Sequence, residues 1–197
     1  MPQSEALESA QQVLLRLRIE KEGEARGASL RLALRRQASG FELRASDPLG
    51  RALWTLRVLP TGAWWMDPRS RRACALSVER GARALGWPDL PWQVLAAVLL
   101  GEPPVEHDGV DAAGRWWETE RSESNQQLAW SVREGAGGAF MARYRREGDT
   151  HFLSSASPQV EVRWNEVARE AVARAARLSE QMPQGFAVGG CDELELP

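Results

Sequence analysis

Pro91-Trp92-Gln93-Val94-Leu95-Ala96-Ala97-Val98-Leu99-Leu100 is the stretch whose reading decides the fold. It closes a segment, residues 48 to 104, that begins with Pro48-Leu49-Gly50 and passes through a strand pair. Pro91 stands near the first turn of a helix, where its missing N–H costs nothing, and Gly101 with Pro103-Pro104 stops that helix. Val94, Leu95, Val98 and Leu99 make its packing face, while Ala96 and Ala97 allow close approach. No charge lies between Asp89 and Glu102, so the helix has no strongly solvated face. Upstream, Ser77 is a fair N-cap for a helix through Leu85, ended by Gly86. Both helices are read as a lid over the open side of a curved sheet, a geometry that encloses an apolar cavity.

Working outward, the pattern is antiparallel strand. Leu15-Arg16-Leu17-Arg18-Ile19-Glu20 and Leu30-Arg31-Leu32-Ala33-Leu34-Arg35 alternate large apolar with mostly charged residues, one face to a core and one to water. Phe41, Leu43 and Ala45 continue this, followed by Trp54, Leu56 and Val58, Ala63-Trp64-Trp65-Met66 and Arg72-Ala73-Cys74-Ala75-Leu76, joined by short turns as a meander. After Gly101 come Trp116-Trp117-Glu118-Thr119-Glu120, Leu128 to Arg133, Ala139 to Tyr144 and Val160-Glu161-Val162-Arg163-Trp164. Glu5, Leu7, Glu8, Ala10 and Val13 have the spacing of a short opening helix. From Val167 to Gln181 the Ala, Arg and Glu run permits a helix or a surface linker, before a final extended piece from Pro183. Asp47-Pro48-Leu49-Gly50 is a tight turn that holds Leu49 at its tip, exposed unless the leucine folds back into the core.

Composition narrows the function. The 25 basic and 27 acidic residues are interspersed over 197 residues, giving a net charge of −2 and no basic face for nucleic acid. No run approaches the roughly 20 apolar residues of a membrane-spanning helix. Met1-Pro2-Gln3-Ser4 reads as the start of a trimmed chain, compatible with a leader removed before Met1. Cys74 and Cys191 carry no metal or CxxC spacing and are read as two independent buried thiols, with a bridge as the alternative in an oxidising compartment. The histidines are His107 and His151, and there is no Gly-x-Ser-x-Gly elbow and no phosphate-cradling loop, so no enzyme, cofactor or metal site is expected. His107-Asp108 and the Glu118/Glu120 pair read as plain surface.

The compositional excess is tryptophan, 9 residues of it. Trp and Leu are either fillers of a packed interior or the lining of a space they do not fill, and inward positions poor in polar residues suit an acyl chain.

Three segments carry a resemblance. They are the strand leading to Asp47-Pro48-Leu49-Gly50 with Ala52-Leu53-Trp54-Thr55-Leu56, then Leu85-Gly86-Trp87-Pro88-Asp89-Leu90-Pro91-Trp92 with Val98-Leu99-Leu100-Gly101-Glu102-Pro103, then Val160-Glu161-Val162-Arg163-Trp164. In order and spacing over residues 13 to 165 the chain resembles the LolB/LolA family of bacterial lipoprotein-localisation factors, closer to the outer-membrane receptor LolB than to the periplasmic carrier LolA. The resemblance implies an incomplete antiparallel β-barrel closed on one side by helices, a hydrophobic cavity for lipoprotein acyl chains, and no catalysis. It also implies that the Pro48-Leu49-Gly50 loop inserts into the membrane. A LolB-type receptor carries an acylated N-terminal cysteine, and no cysteine precedes Cys74 here. Either an anchor left with the leader or the protein is a soluble relative.

The expectation is thus one α+β domain over residues 1–197, with a core at 13–165 and an extension at 166–197. Its fold is an incomplete antiparallel barrel of about ten or eleven strands under short helices. By strand parity Leu17, Leu32, Leu43, Trp54, Leu56, Trp117, Trp130 and Phe140 line the cavity, and Val94, Leu95, Val98 and Leu99 form the lid. The implied partners are lipid-modified proteins, a LolA-like carrier and the periplasmic side of the outer membrane, engaged by a monomer. The rival functions are an envelope carrier or sensor of free lipids or glycolipids, and a packed interaction module of an envelope assembly.

Overall fold

Leu30, Leu32 and Leu34 turn inward while Arg31 and Ala33 stay exposed, and this alternation recurs along most of the chain. The architecture is that of a computed structural model, which describes residues 7–21, 30–76, 82, 87, 88, 90–102, 108–111, 114–121, 128–156, 159–178, 185–189 and 191. Its elements are β1 (Leu7–Lys21), β2 (Leu30–Gln37), β3 (Gly40–Ser46), β4 (Ala52–Leu59), β5 (Gly62–Asp67), β6 (Arg72–Leu76) and α1 (Trp92–Leu99). They continue with β7 (Gly109–Val110), β8 (Trp116–Arg121), β9 (Leu128–Arg133), β10 (Phe140–Glu147), β11 (Thr150–Ala156), β12 (Gln159–Ala176) and β13 (Ala187–Val188).

The strands form a 13-stranded sheet in the order β13-β6-β5-β4-β3-β2-β1-β12-β11-β10-β9-β8-β7. The order is linear, so the sheet is open, with β13 and β7 at its edges. Strands β2 to β6 pair antiparallel, as do β12 to β7, while β13 runs parallel to β6. Among the described residues the α-helix is α1; of the helix expected over residues 77–85 only Ala82 is described, and the rest lies outside them.

Contacts divide the chain into two compact units, with boundaries that fall inside β1 and β12. The first comprises Met1–Arg16, Leu30–Glu79 and Glu166–Pro197. One cross-strand row of its interior runs Leu34 opposite Leu43, Leu43 opposite Leu56, Leu56 opposite Trp65 and Trp65 opposite Cys74, every member buried. The second comprises Leu17–Ser29 and Arg80–Asn165. Its corresponding row runs Trp130, Tyr144, Leu153, Val162, again all buried.

Three expectations are corrected. From Leu7 onward the opening segment is part of β1, not a helix, Glu5 lying outside the described residues: Ala10 and Val13 are both buried although strict alternation puts them on opposite faces, so the break imitates helical spacing. The run from Val167 continues β12 as strand to Ala176, neither helix nor linker. Its end is tied down by Gln37, whose Nε2 donates to the Ala176 carbonyl at 3.0 Å while its Oε1 accepts from the Leu178 amide at 2.9 Å. Finally, Cys74 and Cys191 are not independent thiols but a disulfide, with Cα atoms 5.2 Å apart. Pairing of Val188 with Ala73 brings Cys191 alongside β6, a proximity no spacing rule reveals.

The bridge closes a sequence separation of 117, long enough for cross-linking to constrain the unfolded chain strongly. Reduction is expected to lower unfolding free energy by about 2–4 kcal/mol, read as a drop in Tm with dithiothreitol. An unchanged Tm together with two thiols titratable in the native protein contradicts the bridge.

Candidate functional site

The turn between β3 and β4 is built by one carboxylate. Asp47 Oδ1 accepts from the Leu49 and Arg51 amides, each at 2.9 Å, and Oδ2 accepts from Arg51 Nε at 2.5 Å. The Gly50 amide donates to the Asp47 carbonyl at 2.9 Å, with Gly50 at φ 84°, a value that favours glycine. These bonds hold the backbone on both sides of Leu49 and leave its side chain 81% exposed. The leucine does not fold back.

The turn is repeated elsewhere in the chain. In Asp111-Ala112-Ala113-Gly114-Arg115 the Gly114 amide donates to the Asp111 carbonyl and the Arg115 amide and guanidinium donate to the Asp111 carboxylate, at 2.8–3.0 Å. Asp-x-x-Gly-Arg is the sequence pattern that these two sets of hydrogen bonds share. Asp111 Oδ2 also accepts from Trp117 Nε1 at 2.9 Å. The neighbouring Asp108 Oδ1 accepts from the Thr119 amide at 2.8 Å, while His107 lies outside the described residues.

The residues expected to line a cavity fall in both units. In the first, Leu32, Leu43 and Leu56 expose nothing, and Trp54 packs on Trp65 with ring centroids 4.6 Å apart. In the second, Leu17, Trp117 and Trp130 are buried and Phe140 is half-buried. Of the lid residues, Leu95, Val98 and Leu99 are buried and Val94 is half-buried. Apart from the half-buried Phe140 and Val94, these side chains are enclosed by protein.

A groove of ≈ 240 Å³ does occur in the first unit, but on the charged face, lined by Leu14, Ala33, Arg35, Glu42, Arg44 and Arg169 among others. Glu42 is only 2% exposed. Its carboxylate is matched by Arg44, at 2.6 Å, and Arg57, at 2.8 Å, which is how the charge survives burial.

Sequence reasoning missed the aromatic cluster of the second unit. Tyr144 lies between Trp130 and Trp164, at ring centroid distances of 5.4 and 6.0 Å, and His151 stacks on Trp164 at 5.2 Å. Tyr144 Oη and His151 Nδ1 are 2.7 Å apart, and burial pushes the Tyr144 hydroxyl up to about 12, so it remains protonated at neutral pH. The end of α1 rests on this pair. Gly101, at φ 71°, and Glu102 donate to the Val98 and Ala97 carbonyls, each at 2.9 Å, closing a Schellman motif. A Cβ on Gly101 would come 3.0 Å from His151 Cε1. The available signal was His151 itself, one of the two histidines of the chain.

Among the described residues, no group of three or more His, Cys, Asp or Glu could hold a metal, and no helix is long and apolar enough to cross a membrane. No protein-family profile and no curated protein sequence matches the chain. Among solved structures it is similar to a LolA superfamily protein from Nitrosomonas europaea, at 11% identity and TM-score 0.49, covering 86% of this chain and 87% of that one. It is also similar to an uncharacterized conserved protein from Thermus thermophilus, at 13% identity and TM-score 0.43, covering 92% and 90%. A third likeness is a putative outer membrane lipoprotein-sorting protein domain from Vibrio parahaemolyticus, at 9% identity and TM-score 0.43, covering 87% of each.

Two outcomes follow. Gly101→Ala is expected to destabilise by about 1–2 kcal/mol or more, because the left-handed backbone and the His151 approach both oppose a methyl group; urea unfolding at unchanged m-value reads this. The Arg51 amide first, and then its guanidinium and the Leu49 amide, hold the Asp47 carboxyl below its ordinary value of 3.8. A folded value that is lowered means that the turn's stabilisation is present above pH 3.8 and fades as pH falls through the lowered value. Carboxyl NMR titration should place the Asp47 midpoint below 3.8, and a midpoint at or above it contradicts the arrangement.

Proposed function

We propose that this protein binds the acyl chains of lipid-modified proteins without catalysis and delivers them to the periplasmic face of the outer membrane. The observation that carries this reading is Leu49, a large apolar side chain 81% exposed at the tip of a turn fixed by hydrogen bonds that the Leu49, Gly50 and Arg51 amides donate to Asp47. A leucine kept in water by a rigid backbone has a use where water ends. Burying it in a bilayer is worth about 1.5–3 kcal/mol, enough to bias encounter with a membrane by roughly tenfold to a hundredfold and too little to hold the protein there.

Pro48, Leu49 and Gly50 thus form the insertion loop. The resemblance of Asp47-Pro48-Leu49-Gly50 and the two later segments to LolB-type receptors supports the same assignment. In this reading Leu17, Leu32, Leu43, Trp54, Leu56, Trp117, Trp130 and Phe140 receive the chains when Val94, Leu95, Val98 and Leu99 of α1 move. Each buried methylene contributes about 0.8 kcal/mol, so acyl chains supply most of the affinity and client sequence little. Release into a bilayer exchanges one apolar medium for another. The implied donor is a LolA-like carrier, and the disulfide fits an oxidising envelope compartment.

The closed packing of the expected wall favours a second reading, a packed interaction module. One variant separates them. Leu49→Glu is expected to keep lipopeptide binding within about twofold and stability within about 0.5 kcal/mol, because the side chain touches little, while transfer to outer-membrane vesicles falls by about tenfold or more. Transfer at the wild-type rate overturns the proposal.

A further inference from the structure

The interior of the second unit contains hydrogen-bond donors that the chain does not satisfy. The indole Nε1 atoms of Trp87, Trp92, Trp130 and Trp164 are buried with no acceptor within reach. The rings themselves are at most 1% exposed. Trp117 shows the ordinary solution, donating to Asp111 Oδ2 at 2.9 Å. An indole nitrogen is a donor only, and native interiors leave few buried donors unmatched because the cost of stripping water from them is not recovered.

Two of the four are positioned by a single ring. Trp130 and Trp164 flank Tyr144, which is itself engaged with His151 at 2.7 Å. Around them the inward residues Val132, Ala142, Leu153 and Val162 have no exposed surface, and the polar residues on the same side of β11 are His151 and Ser155, 5% and 6% exposed. Arg143, Arg145 and Arg163 occupy alternate positions on the opposite face, with Arg145 and Arg163 over Phe152 at 4.3 and 5.6 Å, while Arg146 shares the parity of Tyr144 but is exposed near the end of β10. Arg146 donates to the Gly148 carbonyl at 2.9 Å, and among the described residues of these strands in the second unit no buried arginine or lysine is there to match a phosphate or a carboxylate. The complement of bare N–H donors in apolar surroundings is a neutral acceptor attached to hydrocarbon.

We propose that the second unit binds the carbonyl oxygens of acyl esters or amides, with the Trp130 and Trp164 indole N–H groups as donors. This rests on the acyl-binding reading and adds to it: the linkage is recognised, not the chain alone. The shared chemistry is an acyl carbonyl, whether it arrives on a lipoprotein or on a free glycerolipid.

The test is a titration of the full-length protein, followed by tryptophan fluorescence, with monopalmitoyl glycerol and with hexadecyl glycerol, its ether counterpart that lacks the carbonyl. The ester is expected to bind about three- to tenfold more tightly. Trp130→Phe and Trp164→Phe should each reduce that ratio toward one, whatever they do to affinity in general, and the ester alone should shift the indole N–H band in ultraviolet resonance Raman spectra. Equal affinity for ester and ether, or a ratio unchanged in both variants, overturns the carbonyl assignment and leaves acyl binding standing. Binding of neither probe overturns both. A diacylated lipopeptide and a phosphatidylglycerol of matched chains complete the comparison: whichever binds more tightly identifies the source, and either preference supports the assignment provided the ester ratio holds.

Discussion

Every second residue of these strands has to leave water in register with its neighbours, and the rest of the structure follows from that. In the first unit the row from Leu34 through Leu43, Leu56 and Trp65 to Cys74 puts five strands under one constraint. A slip of one residue would bring Arg35, Glu42 and Arg57 into the interior in their place, so the register is enforced by charge as well as by apolar burial. Glu42 shows the limit of what the outer face tolerates: it is buried only because Arg44 and Arg57 close on its two oxygens.

The same constraint isolates Leu49. With the strand pair on either side held in register, the connection has few residues in which to turn, and Asp47 uses most of its oxygen lone pairs to fix them. An apolar side chain is then left in water on a backbone that cannot carry it elsewhere. In the proposed function, closed walls and an exposed apolar tip belong together, because the protein would meet a lipid surface before it opens. The interior would then stay out of water until another apolar phase is at hand, and the exchange between them would involve little net change in burial.

Much of this fold is legible in the residues. The meander from β2 to β6, the strands at Trp116, Leu128 and Val160, the apolar helix and the exposed turn all follow from period, glycine and proline. What was not legible has physical causes. Strand β1 breaks alternation between Ala10 and Val13, which makes its start look helical. The second half of β12 is largely exposed, so its Ala, Arg and Glu residues carry no alternation to detect. Strand β11 places His151 and Ser155 inward and Phe152 outward beneath two arginines, which inverts the usual signal. That lost strand also hid the aromatic cluster, since His151 completes it. The disulfide needs the parallel placement of β13 on β6, a long-range pairing that two isolated cysteines do not announce.

The central claim is that the folded protein takes up fatty chains attached to a protein. Native mass spectrometry of detergent-free protein mixed with a triacylated lipopeptide, beside the same peptide without its acyl groups, addresses it directly. A one-to-one complex with the acylated peptide alone is the predicted result. No complex, or equal retention of both peptides, contradicts the claim.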